Sequence, residues 1–376
     1  MVKDPLSYHS KLKGKIVVSS KELLTKDNLS LAYTPGVAKV SMAIANNKKL
    51  VGKYTGVNNT VAIITDGTAV LGLGNIGPEA ALPVMEGKAA IFADFAGVNA
   101  FPICLATQDP AKIIETVKNI APAFGGINLE DIAAPACFEV LEALEKELNI
   151  PVFHDDQDGT AIVVLAGLIN ALKISSRDKS TKIVISGAGA AGIAIARLLE
   201  SYGISNYCLC DSHGTISGCR RDLTKEKSAA LKKSNASCPC ASCTDALVGA
   251  DVLIGVSKPD QFTAKDIRRM NPNPIIFALA NPIPEITPEE ARNGGAKIIA
   301  TGRSDYPNQI NNALVFPGLF RGLLDNNIRK VTPAIKISVA EAIAGMVANP
   351  TPENFMPSIF DSELVRNVVA AVKKAN

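Results

Sequence analysis

The run Lys182-Ile-Val-Ile-Ser-Gly187-Ala-Gly189-Ala190-Ala191-Gly192-Ile-Ala-Ile-Ala-Arg-Leu-Leu199 reads as a strand, a glycine turn and a helix in unbroken order. Gly187 permits the tight turn, Gly189 lets the backbone approach a pyrophosphate, and Gly192 lets helix and strand pack closely. The free amides of the helix N-terminus then face phosphate. A G-x-G-x-x-G alone is equally a plain strand-to-helix turn. Its context strengthens it, because a second strand, Tyr207 to Cys210, ends at Asp211, where a carboxylate can accept hydrogen bonds from an adenosine ribose. Asp211 favours NAD over NADP, since it repels a 2′-phosphate, although Ser212, His213, Arg220 and Arg221 follow closely enough to meet one.

Outward from this loop, Val61–Thr65, Ala89–Phe92, Asp251–Ile254 and Pro274–Ala278 are short apolar runs and are expected to be buried parallel strands. Between the strand runs lie helical patterns over Asp109–Ile120, Cys137–Leu148, Thr160–Leu172 and Gly189–Tyr202. The alternation argues α/β, and the polar joint Lys173–Lys182 separates a long helix from the best strand. Asn281, in Ala278-Leu-Ala-Asn281-Pro282, closes a strand and is placed either to bond a cofactor ribose or nicotinamide amide or to make a turn.

The 376 residues suffice for two domains, and 47% apolar content, 20% charged content and a net charge of +3 exclude a disordered chain or a nucleic-acid binder. No uncharged apolar run reaches the ~18 residues of a membrane-spanning helix. Met1–Lys15 has no leader pattern, so the cytoplasm is the expected address. The eight cysteines are expected to be thiols. Cys238-Pro-Cys240-Ala-Ser-Cys243, with His213, suggests either a zinc site or a polar loop.

Two acidic pairs stand among apolar residues, Glu130-Asp131 after Gly125–Leu129 and Asp155-Asp156 after Ile150–His154. Converging from two strand ends they would offer oxygen ligands to a hard cation such as Mg²⁺ or Mn²⁺, whereas separately each would serve as a helix cap. Lys88, between Gly87 and an apolar run, is expected to have a depressed pKa and to act as a base. Tyr33, in Leu31-Ala-Tyr33-Thr-Pro-Gly36, has a hydroxyl that a turn can hold to give or take a proton.

Together these stretches resemble the malic enzymes in their short, prokaryotic-type form. The resemblance runs over nearly the whole chain, through Leu31–Ala38, Thr65–Gly77, Val152–Ala161 and Ala300–Gln309. It implies an N-terminal α/β substrate and metal domain over 1–157 and a Rossmann-like, doubly wound parallel-sheet NAD(P)-binding domain over 158–376. The last ~60 residues are expected to pack back on the first domain. It also implies Tyr33 as general acid, Lys88 as general base, metal ligands at Glu130, Asp131 and Asp156 with Asp155 beside them, and substrate contacts at Lys88, Asn311 and Asn312. The cofactor would meet Gly187, Gly189, Ala190, Ala191, Gly192, Asp211 and Asn281. The implied reaction is oxidative decarboxylation of L-malate to pyruvate and CO₂ with NAD(P)⁺ and Mg²⁺ or Mn²⁺, in a homodimer. Alternatives are a malolactic conversion with tightly held NAD and a non-catalytic relative that binds dinucleotide or dicarboxylate.

The chain departs from the family pattern at Ala69, where long members carry a carboxylate-gripping arginine, and at Asp158 and Asn99, where short members commonly show histidine and aspartate. Ser217–Thr244 also looks unlike the family. No phosphotransacetylase-like extension follows, so the chain is expected to work without one.

Overall fold

Val, Ile and Ala fill the strands because parallel strands covered on both faces have no solvent side. Thr60–Thr65 (β1) is buried at all six positions. With Asn99–Cys104 (β2), Gly126–Leu129 (β3) and Val152–His154 (β4) it forms a parallel sheet of order β2-β1-β3-β4. Ile183–Ser186 (β5), Tyr207–Asp211 (β6), Gly214–Thr215 (β7), Val252–Gly255 (β8), Ile275–Ala278 (β9) and Ile298–Thr301 (β10) form a second sheet of order β10-β9-β8-β5-β6-β7. Only the β6–β7 pairing is antiparallel there. The order reverses at β5, with β6 on one side and β8 on the other, which is the doubly wound arrangement. The computed structural model describes residues 4–12, 14–70, 72–234, 238 and 241–376.

The helix Thr160–Ser175 is buried on nearly every side. Asp155–Ser175 is long and apolar enough to cross a membrane by length and composition, and its burial inside the protein accounts for that apolarity. The tail helix Phe316–Asp325 packs on the helix Pro78–Ala96, with Phe316 and Phe320 ring centroids 4.8 and 5.4 Å from that of Phe92. One apolar cluster therefore runs from β1 through both helices to β5 and β9.

Ala89–Phe92, expected as a strand, lies inside the helix Pro78–Ala96. A short apolar run does not separate the two states. The buried set Ala81, Met85, Lys88, Ala89, Phe92 and Ala96 recurs at three- and four-residue spacing, and that wider window carries the helical signal. The thiol expectation fails in part as well. Cys208 of β6 and Cys238 are joined in a disulfide, their Cα atoms 5.5 Å apart, and Cys219 is disulfide-bonded too, while Cys104, Cys137, Cys210 and Cys243 are free. A bonded Cys238 cannot serve the suggested zinc site, and Cys240 lies outside the described residues.

Asn170 is a buried polar group in the core helix, and its Nδ2 donates to the carbonyls of Ala344 and Phe355, both at 2.9 Å. It ties three segments of the C-terminal half together. Asn170→Ala strands both carbonyls and is expected to lower unfolding stability by about 2 kcal/mol. A urea midpoint unchanged in the variant would contradict this role.

Candidate active site

The C-terminal ends of both sheets open onto one cleft of about 690 Å³. Glu130 and Asp131 follow β3 and Asp155 and Asp156 follow β4, and all four line it. Val256 to Pro259 after β8, Leu279 to Asn281 after β9, and Asn311, Asn312 and Phe316 line the facing wall. Ligands in open α/β sheets bind at such carboxyl ends.

Asp155 to Gly159 form one wide π turn that runs into the core helix, which fixes the Asp155 and Asp156 directions. Asp131 adopts φ of 53°, in the left-handed region, and its amide donates to Asp156 Oδ2 at 2.7 Å. Carboxylate oxygens of Glu130, Asp131 and Asp156 thereby lie within 4.8 Å of one another. They are the one such metal-ligating group among the described residues. Asn128 Nδ2 holds Glu130 Oε2 at 3.0 Å.

Lys88 enters from the helix Pro78–Ala96. Its Nζ lies 2.9 Å from Glu130 Oε1, pairs with Asp155 Oδ2, and sits 4.1 Å from the Phe316 ring centroid. Burial acts to lower the Lys88 pKa, but Asp155 and Glu130 outweigh it and hold the ammonium above its usual range. The expected depression is therefore corrected: two carboxylates in contact reverse the effect of burial. Burial and mutual repulsion raise Glu130 well above the usual carboxylate range, and burial raises Asp155 and Asp156, each against the pull of Lys88. Four carboxylates face one ammonium, and Asp155 Oδ1 is buried with no hydrogen-bond partner. An all-oxygen donor set with surplus negative charge fits a hard divalent cation. His154, fully buried, is pushed down to about 4 by desolvation and stays neutral at pH 7.

Asn312 Nδ2 donates to Asp155 Oδ2 at 3.1 Å. Asn281, Asn311 and Ala191 also line the cleft. At the glycine loop Gly187 has φ of +116°, and a Cβ on Gly192 would stand 1.7 Å from the Gly187 carbonyl oxygen. Both positions therefore demand glycine. Nothing lies within 4 Å of a Cβ built on Gly189, which leaves room beside the first turn of the helix Ala190–Tyr202 for a pyrophosphate. Asp211 closes β6 beside this loop, since the Gly187 amide donates to the Cys210 carbonyl at 2.9 Å.

Tyr33 stands apart. It is 67% exposed and absent from the cleft lining, and among the described residues no partner holds its hydroxyl. The helices Pro5–Leu12, Leu29–Ala32 and Val37–Asn46 around it bury no residue at all. Asp158 pairs with Lys336 at 2.6 Å.

Sequence reasoning passed over Lys258, a cation of the cleft wall, and Glu285. Glu285 is wholly buried, and its carboxylate accepts from the Ser257 amide at 2.7 Å and the Ala280 amide at 3.0 Å. It thus ties the β8 loop to the β9 loop. A glutamate before Ile286 carries no local signal for a tether to Ser257.

Fold and cleft define a two-sheet α/β protein with a dinucleotide-type glycine loop facing a buried acidic cluster. Residues 13–111 match the family description "Malic enzyme, N-terminal domain" and residues 157–376 match "Malic enzyme, NAD binding domain". The chain is 52% identical to the bifunctional malic/malolactic enzyme of Bacillus subtilis, over 99% of this chain and 92% of that one. It is 43% identical to the NADP-dependent malic enzyme of Halomonas elongata, over 98% and 92% of the two chains. The crystal structure of the NAD-dependent malic enzyme from Thermotoga maritima superposes with a TM-score of 0.95 at 47% identity, covering 98% of this chain and 99% of that one. The chain belongs to the malic enzyme family.

Glu285→Ala is expected to release both loops, lowering stability by about 2 kcal/mol and weakening NAD⁺ binding. Glu285→Gln, which keeps one acceptor, should lose less of both. Calorimetric titration with NAD⁺ beside urea unfolding checks this, and unaltered NAD⁺ affinity in the alanine variant would contradict the tether.

Proposed function

We propose that this chain oxidatively decarboxylates L-malate to pyruvate and CO₂ while reducing NAD(P)⁺. The single observation that supports it best is the contact of Lys88 with Asp155 and Glu130 inside a carboxylate cluster at the mouth of a dinucleotide-type fold. Glu130, Asp131 and Asp156 are the residues that would hold Mg²⁺ or Mn²⁺. When bound, the divalent cation offsets the surplus negative charge and stabilises negative charge on substrate oxygen. The nicotinamide, when bound, accepts the C2 hydride.

Lys88 Nζ takes the proton of the malate C2 hydroxyl and must be neutral to do so. Adding positive charge beside Glu130 and Asp155 acts against the carboxylates that hold the ammonium, and so favours the neutral amine. Asp155 orients Nζ and is itself steadied by Asn312. Asn311 and Asn312 offer amides to a malate carboxylate. Phe316, Ile91 and Val163 supply the apolar wall that keeps water from the reacting carbons. Decarboxylation leaves enolpyruvate, which needs a proton at C3, and Tyr33 is the donor.

Tyr33 does not reach this cleft within one chain, so we assign its delivery to a second copy in a homodimer. Val17, Val18, Leu23, Leu24, Leu31 and Met42 are all exposed along the same arm, apolar surface that a second copy would cover.

An initial-rate assay with L-malate, Mn²⁺ and either nicotinamide cofactor should give NAD(P)H and pyruvate in equal amounts. Lactate in place of both would point to the malolactic reaction, and no turnover would contradict the proposal. Lys88→Ala and Tyr33→Phe should each cut malate oxidation at least ~100-fold. When the two inactive variants are mixed and allowed to exchange subunits, about a quarter of wild-type activity should return, since half the sites of each mixed dimer are whole. No recovery in dimers shown to have exchanged would contradict delivery from the second copy.

A further inference from the structure

Asp211 does not stand free at the end of β6. Its Oδ1 accepts from Arg220 Nη1 at 2.7 Å and from the His213 amide at 2.9 Å. Its Oδ2 accepts from Arg220 Nη2 at 3.1 Å and from Lys227 Nζ at 2.5 Å. Arg220 is bidentate on Asp211 and also grips Asp222, with Nε to Oδ1 at 2.8 Å and Nη2 to Oδ2 at 2.5 Å. His213 Nδ1 lies 4.0 Å from Asp211 and 3.9 Å from Asp222. Lys227 arrives from a different element, the first turn of the helix Lys225–Lys233.

A carboxylate has about four lone-pair sites, and here four donors fill them. An unphosphorylated ribose offers hydroxyl donors, which find no acceptor on Asp211 unless a guanidinium or ammonium first lets go. A 2′-phosphate brings acceptor oxygens and about two negative charges, and it needs no lone pair of Asp211. The cations that neutralise Asp211 also cancel the repulsion by which such an acid normally rejects NADP. Arginine's planar fork suits a phosphate as well as it suits a carboxylate.

We infer that Arg220 and Lys227 form the receptor for the 2′-phosphate of NADP, so that this chain accepts NADP as well as NAD despite the acid at the end of β6. This rests on the dinucleotide reading of the glycine loop given above. It reverses the preference that Asp211 alone implies, and it places cofactor choice in the segment Ser217–Thr244.

Calorimetric titration of the full chain with 5′-AMP and with 2′,5′-ADP isolates the contribution of the 2′-phosphate without any turnover. Wild type should bind 2′,5′-ADP at least tenfold more tightly than 5′-AMP. Arg220→Ala and Lys227→Ala should each reduce that ratio at least threefold without weakening 5′-AMP, whose ribose hydroxyls gain the Asp211 lone pairs that the lost cation had filled. Retained 5′-AMP binding also serves as the check that the variants are folded. A wild-type ratio of one or less overturns the inference, as do variants that lose both ligands in equal measure. Failure of wild type to bind either nucleotide or NAD⁺ would instead overturn the dinucleotide reading on which it stands.

Discussion

Surplus negative charge at the buried end of two parallel strands is the constraint around which this molecule is arranged. Glu130, Asp131, Asp155 and Asp156 share a cleft with the ammonium of Lys88, and desolvation acts on Glu130, Asp155 and Asp156. Burying like charges costs several kcal/mol unless something compensates. Lys88 supplies part of the compensation by touching Glu130 and Asp155. A divalent cation held by Glu130, Asp131 and Asp156, as proposed, would supply the remainder.

The rest of the fold holds those groups in place. The π turn Asp155–Gly159 leads directly into the buried helix Thr160–Ser175, so Asp155 and Asp156 stand on the most deeply embedded element of the chain. Phe316 covers Lys88 from a tail helix that packs on the helix carrying the lysine. Glu285 fixes the loops of the facing sheet. Acidic cluster and glycine loop are thereby presented to one cleft by elements with little freedom to drift apart.

Much of this was legible in the sequence because the physics is local. Gly187 and Gly192 are dictated by backbone sterics within a few residues, and acids at the ends of apolar runs mark strand termini. The cleft could be anticipated because carboxyl ends of parallel strands point the same way. What was not legible depends on distance. Ala89–Phe92 was ambiguous until the helix was seen to begin at Pro78. The direction of the Lys88 shift required its contacts with Glu130 and Asp155, residues far along the chain. Asp211 looked like a free acid because nothing in the spacing brings Arg220 and Lys227 onto it. Tyr33, marked by its proline-glycine turn and by the resemblance, carries no local sign of lying outside the cleft of its own chain.

We propose that Glu130, Asp131 and Asp156 form a cation site assembled from two strand ends. Titration of the protein with Mn²⁺, followed by loss of the free-ion electron paramagnetic resonance signal, tests it without reference to catalysis. One tightly bound ion per chain is expected, with Asp156→Asn and Glu130→Gln each weakening binding at least ~10-fold. Wild type that binds no Mn²⁺, or variants that bind it as wild type does, would contradict the account.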